Sequence, residues 1–593
     1  MSSSARWAPG ADQLRIAAAL AAVLLWGGLL RLESLHQAYG PVTRGVLALA
    51  EKLAADVGGN LRPSGDWYDR GTYPYRFDPK SYLDSAREMR HFYEARLREP
   101  LFVAATRVTL GLTGDRDVAG SLVSTLFSVL VLVAAWRLGS AVGGTWVGLA
   151  AAGILALETD LIRWAPLGYR TEAFTAFTAL FLAAFLRWSD APTRRRGLVL
   201  AAWGAAAALT RLSALSFVVP LLMLALWTVR DRPEARRTAA WAAGTCAALV
   251  VPFLVACWWR FGDPLYSVTE HWSYFYQGRG GPAAQAADSV GSWALGQLAT
   301  QPLKFADSIL LGLTAYPWSH KWVGLRPFLG VAGVTALQVA ALAGIFGWLW
   351  SAKGRVLLGA GFLSMAPFAL TWGIYAQPRF TMHVYPLLIV AAVHAPAQWI
   401  GAWSQFRRGR SDRHRWLVRS VAPRALLTSS LVLVAMVWMF GIPVVEARSQ
   451  AASGVSGVAA SWRDGFLFGA GWQPPEQEGN QVVRHMSESE ALAAIYVADL
   501  RALHCTMKIG STARRRQHSQ VLKLTINGDW SRRFRLPPTR ELASYEFRVP
   551  RAALREGSNA LMFTALDGAA AGEIASAPRI RFWYVHCDSG RAN

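Results

Sequence analysis

Long apolar runs dominate this sequence, and one of them extends from Leu14 to Leu30. A run of about 20 such residues forms a helix long enough to cross a bilayer core of about 30 Å. Hydrophobic residues make up 53% of the 593 residues and charged residues only 17%, against about 25% in a typical soluble domain. These features exclude a soluble enzyme, a disordered protein and a fibrous protein. They predict a polytopic α-helical membrane protein.

The spacing of the apolar runs predicts about eleven transmembrane helices. The N-terminal run lacks the pattern of a cleavable signal peptide and is interpreted as the first span. Two of the runs, 197–212 and 213–229, are short enough to form a tight hairpin. The predicted spans lie near 14–32, 118–138, 145–163, 170–188, 197–212, 213–229, 238–258, 328–350, 355–375, 381–400 and 424–445.

The net charge of +23 is concentrated in short loops between these runs, which argues against a nucleic-acid partner. Loops rich in Lys and Arg stay on the cytoplasmic side of a membrane. With eleven spans, all the basic loops fall on one side, so the N-terminus is predicted inside and the C-terminus outside a bacterial inner (cytoplasmic) membrane. The basic loops lie at 194–196, 230–237, 353–355 and 407–419, and the large outward segments are 33–117, 259–327 and 446–593.

The last outward segment is predicted to be a separate β-sandwich domain, 446–593, after a membrane domain, 1–445. Asn527-Gly528 between alternating segments is a strong hairpin signal, and outside the cell Cys505 and Cys587 could form a disulfide. Such a domain could bind a glycan through Trp530, unless Trp530 is a core residue of a strand. Alternating segments lie at 521–526, 545–549, 560–563 and 580–585.

The first outward loop contains a predicted amphipathic helix that lies in the membrane interface. Asp78 is a good N-cap residue and Pro79 suits the first helical position. Side chains that recur every three or four residues then define an apolar face: Tyr82, Ala86, Met89, Tyr93 and Leu97. From spacing alone, a helix cap with a solvated charged face is the simpler interpretation of Asp78.

The loop pattern of Asp78, Tyr82 and Arg87-Glu88-Met89 resembles bacterial lipid-A aminoarabinose transferases and the wider protein-mannosyltransferase-like branch of the GT-C glycosyltransferases. The resemblance implies a GT-C-like membrane domain, a polyprenyl-phosphate-linked sugar donor and Asp78 as the catalytic base. The family's Pro-Pro-Leu stretch corresponds here to Arg98-Glu99-Pro100-Leu101, with one proline and the basic residue one place earlier.

Further weak matches follow in the order found in the family, all on the predicted outer side. Glu172 could pair locally with Arg170, His271 could be an ordinary interfacial histidine, and Arg379 could only snorkel at a helix end. The resemblance instead implies catalytic roles for Asp78, Glu172 and His271. It implies substrate binding by Tyr82, Arg87, Arg98, Glu99, Arg211, Glu270, Arg379 and Tyr385.

The predicted function is inverting transfer of a sugar from the lipid donor to an outer glycan, lipid or protein acceptor. Two other classes stay open: a transporter or flippase of lipid-linked sugars, and a non-catalytic envelope protein that binds glycans. Transporters commonly show inverted repeats and broken midplane helices, which are not evident here. The residues leave open whether a divalent metal takes part.

Overall fold

The structure is a computed structural model that falls into two compact units, one helical and one of β-sheets. The domain boundary at 445 stays a prediction. The structure describes residues 11–39, 78–113, 115, 117–270, 296, 298–300, 302, 325–372, 381–408, 427–432, 455–459, 476–478, 481–486, 490–497, 501–511, 520–537, 541–555, 557–566 and 580–588.

The helical unit follows the predicted order of apolar runs closely. Its helices are α1 (Ala11–Tyr39), α2 (Asp78–Glu88), α3 (Pro100–Thr113), α4 (Val118–Gly143), α5 (Thr145–Ala156), α6 (Thr159–Trp164), α7 (Thr171–Asp190), α8 (Arg194–Thr210), α9 (Leu215–Thr228), α10 (Pro233–Phe261), α11 (Arg326–Trp348), α12 (Ala352–Trp372) and α13 (Tyr385–Arg408). Short 3-10 helices lie at Ala165–Leu167, Leu212–Ala214 and Met382–Val384.

Three helices among the described residues, α1, α4 and α10, are long and apolar enough to cross a membrane by themselves. Helices α11 and α12 pass the same test together and are bent by 113° at the break between them. Shorter apolar helices lie at Pro100–Thr113, Thr145–Ala156 and Leu212–Thr228. The count of eleven spans therefore stays a prediction, and the last span, near 424–445, lies largely outside the described residues.

The predicted span near 145–163 is broken into α5 and α6. Glu158 lies in the break, and its carboxylate accepts a hydrogen bond from the Leu161 amide at 2.7 Å. The buried Arg31 of α1 donates to the Leu155 carbonyl oxygen at 3.2 Å and to Ser128 Oγ of α4 at 2.7 Å. The two side chains satisfy backbone groups that a broken helix leaves without partners.

Helix α4 is central to this unit and packs against α1, α3, α5, α7 and α13. Its contact with α5 is close because glycines face each other there. A Cβ on Gly139 would lie 2.7 Å from the Cα of Gly148, which is shorter than real Cβ contacts. The small residues therefore allow the two backbones to approach directly.

Helix α2 is shorter than its sequence pattern predicts. It ends at Glu88, so Met89, Tyr93 and Leu97 lie beyond its end. The prediction of one amphipathic helix through Leu97 was wrong because arginines cap the last turn. Arg96 donates to the Glu88 carbonyl oxygen at 2.8 Å, and Arg107 donates to the Arg87 carbonyl oxygen at 3.2 Å.

Helices α8 and α9 cover the two short apolar runs, and the tight hairpin between them stays a prediction. Arg211 follows α8 in an extended conformation, with φ −156° and ψ 113°. The 3-10 turn Leu212–Ala214 then leads directly into α9. Arg211 is thereby next to Leu212, whose amide donates a hydrogen bond to Glu99 of the candidate site.

The second unit consists of two antiparallel sheets. Its strands are β1 (Val455–Ala459), β2 (Glu476–Glu478), β3 (Gln481–His485), β4 (Glu490–Val497), β5 (Leu503–Ser511), β6 (Gln520–Ile526), β7 (Trp530–Leu536), β8 (Ala543–Val549), β9 (Gly557–Ala565) and β10 (Ile580–Asp588). One sheet has the order β2-β3-β10-β5-β8, with β1 also paired to β10, and the other has the order β4-β9-β6-β7. An apolar core lies between them, where the Phe563 and Phe582 rings are 5.5 Å apart.

The hairpin and the disulfide predicted for this unit are both present. Asn527 and Gly528 adopt φ 51° and φ 85° between β6 and β7, the left-handed region that such turns require. Cys505 of β5 and Cys587 of β10 form a disulfide between directly paired positions. Trp530 is half-buried rather than exposed, and its ring is stacked on Phe547 at 5.9 Å.

Candidate active site

Asp78 and Arg98 form the first part of the candidate site. Asp78 begins α2, Arg98 lies just before α3, and the two helices pack together. Arg98 Nη2 donates to Asp78 Oδ1 at 2.6 Å. The two side chains are only 23% and 14% exposed, so this charge-assisted pair is partly shielded from water.

Tyr82 lies one turn after Asp78 and is in contact with two guanidinium groups. The Cζ atoms of Arg98 and Arg170 each lie 5.5 Å from the centre of its ring. The ring also packs edge-on against Phe102 of α3 at 5.4 Å. Because the negative face of an aromatic ring attracts cations, Tyr82 helps to keep both arginines near Asp78.

Glu99 connects this cluster to three other segments of the chain. The side chain is 1% exposed and forms an ion pair with Arg170, which precedes α7. Its Oε1 accepts hydrogen bonds from the Leu212 amide and from Ser267 Oγ, each at 2.8 Å. Arg170 also donates to the Thr210 carbonyl oxygen at 3.1 Å. The chain ends of α7, α8 and α10 therefore meet the start of α3 at Glu99.

Arg211 and His383 form a second buried cluster around two shared aromatic rings. Arg211 Cζ lies 4.6 Å from the centre of the Phe368 ring and 5.7 Å from that of Phe174. The His383 ring lies 4.9 Å from Phe174 and 5.9 Å from Phe368. His383 Nε2 is 3.1 Å from Ser364 Oγ, so either atom donates according to the histidine tautomer. Arg211 directly follows Thr210, whose carbonyl oxygen accepts a hydrogen bond from Arg170.

Glu172 and Arg87 contact other parts of the helical unit. Glu172 is fully buried in the first turn of α7 and accepts a hydrogen bond from Ser124 Oγ of α4 at 3.3 Å. Arg87 donates to Asp115 Oδ1 at 2.8 Å and to Asp117 Oδ1 at 2.7 Å. Arg87 thereby ties the last turn of α2 to the start of α4, and its role in substrate binding stays a prediction.

Of the remaining predicted site residues, Tyr385 and Glu270 are among the described residues. Tyr385 is buried at the first position of α13, directly after the segment that carries His383. Glu270 is exposed at the end of a described stretch. His271 and Arg379 lie outside the described residues, so their predicted roles stay predictions.

An outer network of charges surrounds the loop between α2 and α3. Arg96 forms ion pairs with Glu88 at 2.8 Å and with Glu94 at 3.0 Å. Burial alone would raise the pKa of the Glu94 carboxyl. The hydrogen bond from the Arg90 amide and then the Arg96 guanidinium outweigh burial and hold that pKa below its ordinary value.

The assembled side chains combine two carboxylates with buried or nearly buried arginines. Asp78 is paired with Arg98 and Glu99 with Arg170, and the buried Arg211 belongs to the second cluster, one residue before Leu212, whose amide donates to Glu99. Such a set can hold an anionic oxygen group such as a phosphate, while the carboxylate accepts a proton. Among the described residues, no group of three or more His, Cys, Asp or Glu side chains is arranged to hold a metal ion.

Several of these contacts could not be predicted from local sequence patterns. Ser267 and His383 were not identified from the sequence, and Arg170 was considered only as a local partner of Glu172. Glu99 and Ser267 are 168 residues apart, so only the fold brings them together. The available signal was the position of each residue at the predicted outer end of a span.

Residues 98–259 match the protein family described as dolichyl-phosphate-mannose-protein mannosyltransferase. The match confirms the predicted resemblance to GT-C glycosyltransferases over this region. It includes Arg98, Glu99, Arg170 and Arg211, and it begins after Asp78. No curated protein matches the chain in sequence.

Solved membrane transferases are distantly similar in structure. The Archaeoglobus fulgidus oligosaccharyltransferase has 14% identity and a TM-score of 0.39, and the match covers 70% of this chain and 56% of that one. ArnT from Cupriavidus metallidurans, solved with undecaprenyl phosphate, has 15% identity and a TM-score of 0.35 over 69% of this chain and 73% of that one. Arabinosyltransferase EmbB from Mycobacterium smegmatis has 13% identity and a TM-score of 0.28 over 99% and 65%. The chain spans just over half the length of the Archaeoglobus fulgidus oligosaccharyltransferase that it matches.

Proposed function

We propose that this chain, whose residues 98–259 match the dolichyl-phosphate-mannose-protein mannosyltransferase family, is an integral membrane glycosyltransferase. It moves a sugar from a polyprenyl-phosphate donor to an extracytoplasmic glycan, lipid or protein. The observation that carries the proposal is the placement of the Asp78 carboxylate among arginines at the meeting point of several helix ends. A transferase with a phosphate leaving group needs both features.

In the proposed reaction Asp78 is the general base. Its carboxylate takes the proton of an acceptor hydroxyl, and the hydroxyl oxygen attacks the anomeric carbon of the sugar from the face opposite the lipid phosphate. The configuration at that carbon is therefore inverted. General-base catalysis of this kind contributes about 100- to 10,000-fold in rate.

Positive charge near the lipid phosphate stabilises the departing group, because negative charge grows on the phosphate in the transition state. Arg379 is the first candidate for this role from the sequence resemblance. Arg211 and His271 are the next candidates, and the buried position of Arg211 between two aromatic rings supports it. A planar guanidinium suits phosphate oxygens because it donates two parallel hydrogen bonds.

The donor class is tested with the purified full-length chain in detergent. The chain is incubated with radiolabelled polyprenyl-phosphate sugars and, separately, with the matching nucleotide sugars. Transfer or release of sugar from a lipid donor only is the expected result. Binding of lipid donors without any turnover would favour a flippase or a glycan-binding protein instead. Turnover of nucleotide sugars alone would contradict the lipid-donor proposal.

The location and the second unit complete the proposal. The chain lies in a bacterial inner membrane with the N-terminus inside, and 446–593 is an outer β-sandwich domain that binds an acceptor glycan.

Trp530 is the proposed glycan contact, through the part of its ring that does not face Phe547. A Trp530→Phe variant tests this contact, because phenylalanine keeps the core packing while the stacking surface becomes smaller. Unchanged retention of the full-length variant on polysaccharide resins would count against the contact.

A further inference from the structure

The Asp78 carboxylate is already occupied in this structure. Its Oδ1 accepts the Arg98 Nη2 hydrogen bond at 2.6 Å, a short charge-assisted contact. A carboxylate oxygen engaged in this way is a poor proton acceptor, because taking a proton means giving up the ion pair. The guanidinium beside it also favours the charged form of the whole carboxylate, so Asp78 becomes a stronger base when it leaves Arg98.

Arg98 has a second donor that can take part in such an exchange. Its Nε–H is buried and has no hydrogen-bond acceptor among the described residues. A buried donor without an acceptor destabilises the protein, so binding of an anion that supplies an acceptor is favoured. The Nε and Nη2 groups lie on the same edge of the guanidinium and together match two oxygens of a phosphate. A phosphate bound across that edge takes Nη2 away from Asp78.

The surroundings hold the backbone at Arg98 while the end of its side chain can turn. The neighbouring Glu99 is fixed by Arg170, Leu212 and Ser267. The Arg98 guanidinium itself rests near the Tyr82 ring at 5.5 Å, a contact that permits rotation in the plane above the ring. The exchange of partners therefore needs no movement of α2 or α3.

We propose that the Asp78–Arg98 ion pair acts as a lock. It keeps the catalytic base inactive until the phosphate of the lipid donor binds Arg98 and releases Asp78. This inference rests on the proposed function. The donor phosphate takes Arg98 Nε and Nη2, and Asp78 is released toward the acceptor. The acceptor oxygen then bonds to the anomeric carbon and its proton passes to Asp78. The bond from that carbon to the phosphate oxygen breaks, and the polyprenyl phosphate leaves with the electron pair, held by Arg98. An acceptor, including water, is not deprotonated before the donor arrives.

The test measures how readily the Asp78 carboxyl reacts with dicyclohexylcarbodiimide. The full-length chain in nanodiscs is labelled with and without decaprenyl monophosphate, and label at Asp78 is quantified by peptide mass spectrometry. The salt bridge shields the carboxyl, so the lipid phosphate is expected to raise the labelling of Asp78 several-fold. Arg98→Gln is expected to show high labelling without lipid and no further rise with it.

Arg96→Gln is the matched control, because Arg96 lies two residues away and pairs with Glu88 and Glu94 instead. It should keep the wild-type response to lipid. Asp78 labelling that stays constant or falls when the lipid is bound overturns the lock, and so does failure of the lipid phosphate to bind. Sugar transfer with unchanged labelling rejects the lock and leaves the proposed function intact. Increased labelling without transfer from any donor rejects the proposed function. The conclusion that phosphate releases Asp78 from Arg98 would still stand.

Discussion

At the scale of single residues, Glu99 holds the start of α3 to the ends of three other helices. Its carboxylate joins Arg170, Leu212 and Ser267 in a buried environment. Glu99→Gln keeps an oxygen acceptor for the Leu212 amide and the Ser267 hydroxyl but removes the negative charge opposite Arg170. Breaking one side of a buried ion pair costs about 3–5 kcal/mol. We expect a loss of that size in the free energy of unfolding, measured by thermal and denaturant melts in detergent.

Glu88→Gln is the control for that prediction. Glu88 also pairs with an arginine, Arg96, but its side chain is 70% exposed. Exposed pairs contribute about 0–1 kcal/mol. Equal losses in the two variants would contradict the assigned role of Glu99.

Arg211 is the residue for which the structure adds most to the prediction of phosphate binding. Hydrogen bonds to charged groups contribute about 1.5–3 kcal/mol, which corresponds to about 10- to 100-fold in affinity. We expect Arg211→Gln to weaken binding of the lipid donor by that factor, measured by the retention of radiolabelled donor. Arg137→Gln is the control. Arg137 also lies over an aromatic ring, that of Trp136, but it is near the C-terminal end of α4. Equal weakening in both variants would argue against a specific phosphate contact.

At the scale of elements, helix α2 shows where sequence patterns stop being informative. The spacing of Tyr82 and Ala86 predicts the buried face correctly, because both are buried in α2. The same pattern continues past Glu88, but the helix ends there. The arginines that satisfy its last carbonyl oxygens come from later in the chain, and one of them, Arg107, lies in α3. Periodicity reports local preference and contains no information about such distant partners.

The loop after α2 should become less stable in acid. The pKa of Glu94 lies below its ordinary value of 4.5 in the folded chain. A carboxyl with a lowered folded pKa stabilises the fold above about pH 4.5, and this contribution is lost as the pH falls through the folded pKa. We expect the Tm of the wild type to drop more steeply than that of Arg96→Gln as the pH falls below about 4.5. Parallel curves for the two proteins would show that Arg96 does not set this pKa.

The disulfide between β5 and β10 is an element-scale feature that the sequence predicts well. Both cysteines are buried in the core between the two sheets, and removal of such a bridge costs about 2–5 kcal/mol. We expect Cys505→Ala/Cys587→Ala to lower the free energy of unfolding of the β unit by that amount. In the full-length chain, a reducing agent should lower the Tm of the wild type and leave that of the double variant unchanged.

Two other cysteines provide the control for the disulfide. Cys246 and Cys257 are free and buried in α10. Their replacement by alanine should leave the effect of the reducing agent on the β unit in place. If replacing Cys246 and Cys257 abolished the decrease in Tm caused by the reducing agent, the stabilising bridge would not be the one between Cys505 and Cys587.

At the scale of the whole molecule, composition and apolar runs predict a helical membrane part followed by β-sheets, and the structure confirms the apolar helices and the β-sheets. The predicted span at 118–138 corresponds to α4, and the run at 238–258 corresponds to α10. The apolar helix α3 inside the first outward loop is not predicted from the sequence, because its 14 residues are too few for a span. The break at Glu158 is not predicted either, because the Leu155 carbonyl oxygen beside it accepts from Arg31 of the distant helix α1.

The candidate site is less predictable from sequence than the fold. Asp78 and Tyr82 follow from local spacing together with the family resemblance, and the structure brings them together with Arg98 and Arg170. The contacts of Glu99 depend on helix ends that are far apart in the chain. Such contacts arise only when the helices pack, so no short motif contains them.

Asp78 is the proposed base of a lipid-phosphate-dependent sugar transferase. The most direct test compares single-turnover sugar transfer by wild type, Asp78→Asn and Asp84→Asn with the active lipid donor. Asp84 lies on the same helix, and its side chain is 49% exposed and only 3.8 Å from Arg87. We expect a loss of about 100-fold or more for Asp78→Asn and near wild-type transfer for Asp84→Asn. Full transfer by a folded Asp78→Asn protein would contradict it.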